Sequence, residues 1–349
     1  NSSMNNLGKI LQKDAKIVCG KVDMKELAGK TMIVTGASGL IGINFLMSLK
    51  EFCAKLEVKN PPNITAVIFG DMKKCFSDFI GFKELSFKKG DITDIDFVGT
   101  LPESDYIIHA AGYGQPGKFM QDKVKTISIN TSSTMSLLKK LKPDGKFLFI
   151  SSSEVYSGLT DSPYREDQIG TTNTMHPRAC YIEGKRCGEA ICGAYFQKGR
   201  KVKSARLSLA YGPGTKPHDM RVLNSFIERG LTGKIELMDS GQAKRTYCYV
   251  SDAVEIMWNI LLFGKQPIYN VGGFSATTIA SLAENIGKIL KAEVSIPEAD
   301  TGLSGAPDDV RLDMSLVRKE FNKLQSDYTS LESGLKNTIE WQRELYKNN

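Results

Sequence analysis

Short apolar runs, separated by longer stretches with helical periodicity, set the rhythm of the first two hundred residues. Thr31–Thr35, Thr65–Phe69, Leu85–Lys88, Tyr106–His109, Lys146–Ser151 and Lys203–Leu209 are predicted as strands. Intervening segments such as Ile41–Leu49 repeat apolar residues at three- and four-residue spacing, which predicts helices. Strands that alternate with helices and read as near-continuous apolar runs belong in a parallel sheet covered on both faces. Lys50 to Asn63 lengthens the first crossover, and Pro61-Pro62 ends it. From about Tyr211 the texture changes. Gly212-Pro213-Gly214 marks a loop, Arg221–Arg229 reads as a helix, and Lys234–Met238 and Tyr247–Val250 read as strands. Helical patterns follow over Asp252–Leu262, Ile279–Leu290 and Leu331–Tyr346. The expected class is α/β, a doubly wound parallel sheet over residues 30–210. Residues 211–349 would form a smaller mixed substrate lobe, with some segments returning to the sheet. Residues 1–29 read as a polar N-terminal extension with one amphipathic stretch, Leu7–Val18.

Composition changes this picture little. With 41% hydrophobic and 24% charged residues the chain is an ordinary globular protein. It has no apolar run long enough to span a bilayer, so no membrane association is expected. The opening Asn1 to Asn6 is polar, unlike a signal peptide, and Asn1-Ser2-Ser3 ahead of Met4 reads as an expression scar. A net charge of +7 comes from scattered lysines, which favours small anions over nucleic acid as partners. Seven cysteines without a Cys-x-x-Cys pair point to reduced thiols and a cytoplasmic location. His109, His176 and His218 lie far apart, and no metal site is expected.

Two local patterns carry chemistry. Thr35-Gly36-Ala37-Ser38-Gly39-Leu40-Ile41-Gly42 follows a predicted strand and opens a predicted helix. That context makes a Rossmann-like dinucleotide site. Gly36 would permit the tight turn, Gly39 would let backbone N–H groups approach a pyrophosphate, and Gly42 would let the helix pack on the strand. The spacing is Gly-x-x-Gly-x-x-Gly rather than the commoner Gly-x-Gly-x-x-Gly, and a purely structural turn is the competing reading. Further on, Tyr181 precedes Lys185 by four residues and shares its helical face. A nearby ammonium would pull a phenol's pKa of ~10 toward working pH and make it an acid–base group. By itself the pair also fits a helix surface.

Four further motifs complete an ordered set. They are His109-Ala110-Ala111-Gly112, Ser151-Ser152-Ser153-Glu154-Val155-Tyr156, Ala205-Arg206 through Tyr211-Gly212-Pro213, and Arg245-Thr246-Tyr247-Cys248-Tyr249-Val250-Ser251-Asp252 with Tyr269-Asn270-Val271-Gly272-Gly273. With the glycine turn and Tyr181-x-x-x-Lys185, their order and spacing over about residues 30 to 320 resemble the extended short-chain dehydrogenase/reductase family of nucleotide-sugar epimerases and dehydratases. Pro177 to Arg186 and Arg221 to Ile227 look most like its UDP-glucuronate decarboxylases.

The resemblance implies NAD as cofactor and a nucleoside diphosphate sugar as substrate. It makes Ser152 the hydroxyl that holds the sugar O4, Tyr181 the base that removes its proton, and Lys185 the cation beside the tyrosine and the nicotinamide ribose. Glu154 would be a base for chemistry next to a C4 ketone, with Ser153 beside it. The cofactor would lie on Gly36, Ser38, Gly39, Leu40, Ile41 and Gly42, with Ala110, Ala111 and Lys185. Asp71, just past a strand, would take the adenosine ribose and favour NAD over NADP, although Lys73 and Lys74 are placed to receive a 2′-phosphate instead. Asp91 and Ile92 resemble the family's adenine contact, and Asp91 also suits a simple turn. Arg206, Arg221 and Arg245 are candidates for the sugar diphosphate; surface ion pairs are the alternative for Arg206 and Arg245. Asn270 fits a turn cap. A homodimer built on a four-helix bundle, with the helix from Tyr181 to Tyr195 as one candidate, is the family expectation.

Three departures bear on the reaction. Leu209 stands where the family commonly has asparagine, Ala306 stands at the decarboxylase arginine, and Ser153 stands where 4,6-dehydratases have aspartate. What survives is C4 oxidation, which points to an epimerase or 4-dehydrogenase ahead of a decarboxylase or dehydratase. A non-catalytic dinucleotide sensor is the reading from another class.

Overall fold

The computed structural model describes residues 5–55, 59–112, 116–298 and 309–347. The triplet before Met4 and Ala306 therefore lie outside the described residues. In chain order the strands are β1 Thr31–Thr35, β2 Asn63–Ile68, β3 Leu85–Lys89, β4 Ser104–His109, β5 Leu141–Ser152, β6 Lys201–Leu207, β7 Ala210–Tyr211, β8 Lys234–Glu236, β9 Lys244–Tyr249, β10 Ile268–Val271, β11 Ser275–Thr278 and β12 Glu293–Ser295. The helices are α1 Asn6–Lys21, α2 Leu40–Lys55, α3 Lys74–Ile80, α4 Ile95–Gly99, α5 Pro116–Phe119, α6 Lys123–Asn130, α7 Ser132–Leu138, α8 Ala179–Gln197, α9 Val222–Leu231, α10 Val250–Phe263, α11 Ile279–Leu290, α12 Ser315–Phe321 and α13 Leu331–Lys347.

Among the described residues, seven strands form one parallel sheet in the order β10-β6-β5-β4-β1-β2-β3. Its strands send alternate side chains to opposite faces. Met32 and Val34 join a core with α1, α2, α10 and α13, while Ile33 joins one with α7 and α8. Tyr106 and Ile108 against Ile107 repeat the pattern in β4. The chain runs outward from β1 through β2 to β3, then crosses back to β4 on the other side of β1. That reversal opens a crevice at the C-terminal ends of β1 and β4, where ligands of doubly wound sheets bind.

β10 returns from the C-terminal part of the chain to pair with β6. α10 and α12 also pack on the main sheet, and the other elements of that part build a smaller lobe. Its three-stranded sheet β11-β9-β7 and the pair β12-β8 pack with α9, α11 and α13 around Phe226, Ile227, Tyr247 and Ile286.

Two expectations need correction. The strand predicted to reach Leu209 stops at Leu207, because Leu209 has a φ of 46°, outside any strand conformation. The amphipathic stretch expected within the polar N-terminal extension is the helix α1, and it packs into the core. Asn5 caps α1 by accepting from the Gly8 N–H at 2.8 Å. Leu7, Leu11, Ala15 and Val18 are all buried in the core shared with α2, α10 and α13. No described helix is long and apolar enough to cross a membrane.

Candidate active site

The glycine turn between β1 and α2 is held by steric necessity. Gly36 has a φ of 62°, and a Cβ there would stand 2.4 Å from the Ala110 carbonyl oxygen at the end of β4. At Gly42 a Cβ would stand 2.2 Å from the Gly36 oxygen. Strand, turn and helix therefore close on one another only with glycine at both places. The first turn of α2 leaves the N–H groups of Leu40 and Ile41 without intrahelical acceptors, at the positive end of the helix dipole.

A buried relay fixes the neighbouring strand end. The Ala111 N–H donates to Thr35 Oγ1 at 3.1 Å. Thr35 Oγ1 lies 2.8 Å from His109 Nδ1, and His109 Nε2 lies 2.9 Å from the Ile129 carbonyl oxygen. A carbonyl only accepts, so Nε2 carries the proton and Nδ1 receives the threonine hydrogen. Burial pushes the imidazole down to about 4, which keeps it neutral and the relay intact. The backbone of Ala110 and Ala111 is thus set against the turn. This cradle of free N–H groups and close glycines fits a diphosphate.

Beside the turn, Asp71 lies just past β2, exposed and paired with Lys89 at 2.7 Å. Asp91 accepts from the Thr93 N–H and hydroxyl and from Lys125 Nζ at 2.8 Å. Partial burial would raise its carboxyl, but the bonds from Lys125 and Thr93 outweigh burial and hold it below the usual range. Lys125 also covers the exposed Phe69 ring at 4.0 Å. Ile92 is buried beside these groups, and its carbonyl accepts from Ser133.

Across the crevice, α8 carries Tyr181 and Lys185 to the end of β5. The Ser152 hydroxyl hydrogen-bonds the Tyr181 phenol and accepts from the Glu154 N–H at 3.1 Å. Phe119 stacks on the tyrosine ring at 4.5 Å. Lys185 donates to the Ile150 carbonyl at 2.8 Å, with its Nζ 5.5 Å from the Tyr181 ring centre. Glu154 forms an ion pair with Arg178, the residue just before α8. Burial raises the Glu154 carboxyl, and the charges of Arg178 and His176 oppose it.

The expectation that Lys185 lowers the phenol's pKa is not met here. Burial pushes Tyr181 up to about 12; against it work the Ser152 hydrogen bond and the charges of Arg178 and Arg221, while Glu154 adds to the rise. Burial also pushes Lys185 down to about 8, with Glu189 resisting. Arg178 and Arg221 are thus the cations acting on the phenol.

Of the three diphosphate candidates, Arg206 is corrected. It is 4% exposed, and all its nitrogens are engaged: Nε and Nη2 with Glu189, Nη1 with the carbonyls of Glu166 and Gln168. It braces β6 against α8, where Ser151 also donates to Glu189 at 2.6 Å. Arg221, at the start of α9, is partly exposed and pairs with Asp219. Its charge reaches Tyr181, so the structure brings it to the same group. Arg245 stands on β9 opposite Thr277, its Nη1 donating to the Lys244 carbonyl. Asn270 lies inside β10, donating to the carbonyls of Tyr164 and Asp313 and accepting from Tyr156, so it ties strands and loops rather than capping a turn.

Sequence reasoning left Arg178, Glu189 and Lys216 without roles. Arg178, at the cap of α8, and Glu189, within it, flank the Tyr181–Lys185 pair in sequence, and that proximity was the available signal. Lys216 sits in an unremarkable loop and donates to Ser38 at 3.3 Å; nothing local announces it.

Comparison with known proteins agrees with this geometry. The profile described as NAD dependent epimerase/dehydratase family matches residues 32–272. UDP-glucuronic acid decarboxylase 6 of Arabidopsis thaliana is 31% identical over 283 residues, 80% of this chain and 79% of that one. A UDP-glucose 4-epimerase from Thermotoga maritima, solved with UDP-glucose, superposes with a TM-score of 0.75 at 22% identity, covering 90% of this chain and 99% of that one. The Bordetella bronchiseptica enzyme WbmF in complex with NAD+ gives 0.70 at 23% identity, covering 93% and 95%. A parallel sheet with a glycine cradle at its switch point, and a match spanning most of the chain, lead to one conclusion: the chain belongs to the NAD-dependent epimerase/dehydratase family of enzymes, with NAD as its cofactor.

Proposed function

We propose that this enzyme oxidises C4 of a nucleoside diphosphate uronate and releases the sugar carboxylate as carbon dioxide. The observation that carries the oxidation step is the Ser152 hydroxyl on the Tyr181 phenol, with Lys185 under the same ring. Ser152 would hold O4 while the Tyr181 phenolate takes its proton. Ser152, Arg178 and Arg221 favour the phenolate against burial. NAD, when bound, supplies the acceptor for the C4 hydride; Gly36 to Gly42, Asp71, Asp91 and Lys185 would hold it. The resulting 4-keto uronate is a β-keto acid. As the C5–C6 bond breaks, its electron pair passes into the C4 carbonyl, C5 is then protonated, and the pentose is completed when the hydride returns to C4 and Tyr181 gives its proton back to O4. With Arg178 drawn from Glu154 to the departing carboxylate, Glu154, whose carboxyl burial raises, would take a proton from solvent and give it to C5.

The identity to UDP-glucuronic acid decarboxylases favours this fate. A second reading keeps all six carbons and ends in a C4 epimer or the free ketone. It is favoured by Ala306 in place of the arginine that such decarboxylases carry. Incubating the enzyme with UDP-glucuronate and UDP-glucose and following products by NMR separates the two. A pentose nucleotide with carbon dioxide supports decarboxylation, an epimer or ketone supports the second reading, and no turnover of any UDP-, GDP-, CDP- or dTDP-sugar refutes both.

The reading includes a homodimer in a reducing, cytoplasmic setting. Val124 and Ile127 on α6 and Met135 on α7 are exposed apolar residues on helices adjoining α8. Light scattering showing a monomer at micromolar concentration would remove the dimer.

A further inference from the structure

We propose that Lys216, reaching over from the loop after β7, is a binding residue for the pyrophosphate of the dinucleotide. The proposal rests on the glycine turn being the cofactor site. Its basis is where the ammonium has been placed and what surrounds it.

The loop is braced from both ends. Asn44 in the second turn of α2 donates to the Leu40 carbonyl and, at 2.9 Å, to the Pro213 carbonyl, so the loop is anchored to the helix that opens the site. Thr215 donates to the Gly212 carbonyl at 2.8 Å, and the buried Trp341 indole donates to the Thr215 carbonyl at 2.9 Å. Lys216 follows directly, and its Nζ lies 3.3 Å from Ser38 Oγ, inside the glycine turn. A flexible side chain on a rigid base is thus aimed at the N-terminal end of α2.

The surroundings are electropositive. Burial pushes the Lys216 pKa down, and the charges of Lys118 and Lys73 push it further in the same direction. A half-buried ammonium facing two other lysines and a helix N-terminus is an arrangement that an anion relieves. A neutral hydroxyl such as Ser38 does not relieve it. The loop belongs to the segment that leads into Arg221 and α9, so this lysine also joins the substrate lobe to the cofactor.

The test uses the purified protein freed of nucleotide, titrated with NADH and separately with UDP by calorimetry. Lys216→Met should weaken NADH about tenfold or more, the usual scale for a charge-assisted hydrogen bond. It should leave UDP binding unchanged and flatten the dependence of NADH affinity on ionic strength. Lys216→Arg should restore most of the affinity. The melting temperature of the free Lys216→Met protein should be no lower than that of the parent, because the variant removes a repelled charge. Unchanged NADH affinity overturns the proposal. A loss confined to UDP overturns it by moving the lysine to the sugar-nucleotide side. An equal loss for both ligands with a lowered melting temperature overturns it by making the lysine structural. A parent protein that binds no NADH overturns the cofactor site itself, before any variant is made.

Discussion

Replacing Asp14 by asparagine should stabilise this protein at neutral pH, and the size of the gain should depend on pH in a defined way. Asp14 lies on the buried face of α1, 3% exposed, and accepts the Tyr249 hydroxyl at 2.6 Å. Burial raises its pKa from the ordinary 3.8 to about 6; the Tyr249 bond and Lys13 pull the other way, and Asp252 adds to the rise. At 1.36 kcal/mol per pH unit, holding the carboxylate ionised in the fold at pH 7 costs about 3 kcal/mol. The folded pKa lies above the unfolded one, so the folded state binds the extra proton. Its contribution is fully present below about pH 4 and disappears as pH rises through about 6. Asparagine keeps an oxygen for the Tyr249 hydroxyl and cannot ionise. Urea unfolding of parent and variant at pH 4, 5, 6 and 7 isolates the effect, because every other titrating group is common to both. The difference should be near zero at pH 4 and grow to about 3 kcal/mol in the variant's favour at pH 7. A difference that does not vary with pH, or a parent more stable at pH 7, refutes the reasoning.

Three other outcomes are expected. Tyr181→Phe should lower turnover of the active sugar nucleotide by about two to four orders of magnitude with NADH binding retained; unchanged turnover by NMR would remove the phenol from the reaction. Arg206→Met leaves Glu189 buried without its partner and should cost about 3–5 kcal/mol in urea unfolding; a loss below about 1 kcal/mol would show that the pair contributes little. Leu209→Asn should raise stability by about 1 kcal/mol, because asparagine tolerates left-handed backbone better and Leu209 is 38% exposed. A lower midpoint in the variant would mean that the leucine side chain matters more than its backbone.

Fold class was legible because it rests on periodicity. Apolar runs such as Ile33-Val34 and Phe147 to Ile150 announce strands buried on both faces, and the glycine turn marks the first crossover. Which side chains meet at the candidate site was legible by another route: the resemblance in motif order grouped Ser152, Glu154, Tyr181 and Lys185, and four-residue spacing put Tyr181 and Lys185 on one helical face. What was hidden depends on charge partners far apart in sequence. Arg206 looks free on paper, and only the packing of β6 on α8 shows Glu189 beside it. The rise in the Tyr181 pKa follows from burial, which a four-residue spacing to lysine does not reveal. Leu209 read as one more strand residue because its left-handed backbone leaves no mark on local hydrophobicity.

The docking of α1 has a consequence for how the protein comes into being. α1 packs against α13, and Asn6 donates to Glu344 across 338 positions. Phe76 likewise stacks on Trp341. A ribosome adding about 5–20 residues per second would hold the apolar stripe of α1 without its α13 partner for tens of seconds. A parallel sheet from β1 to β6 formed during that interval would have one covering layer incomplete. Slower synthesis between α1 and α13 should therefore lengthen the exposure of that stripe.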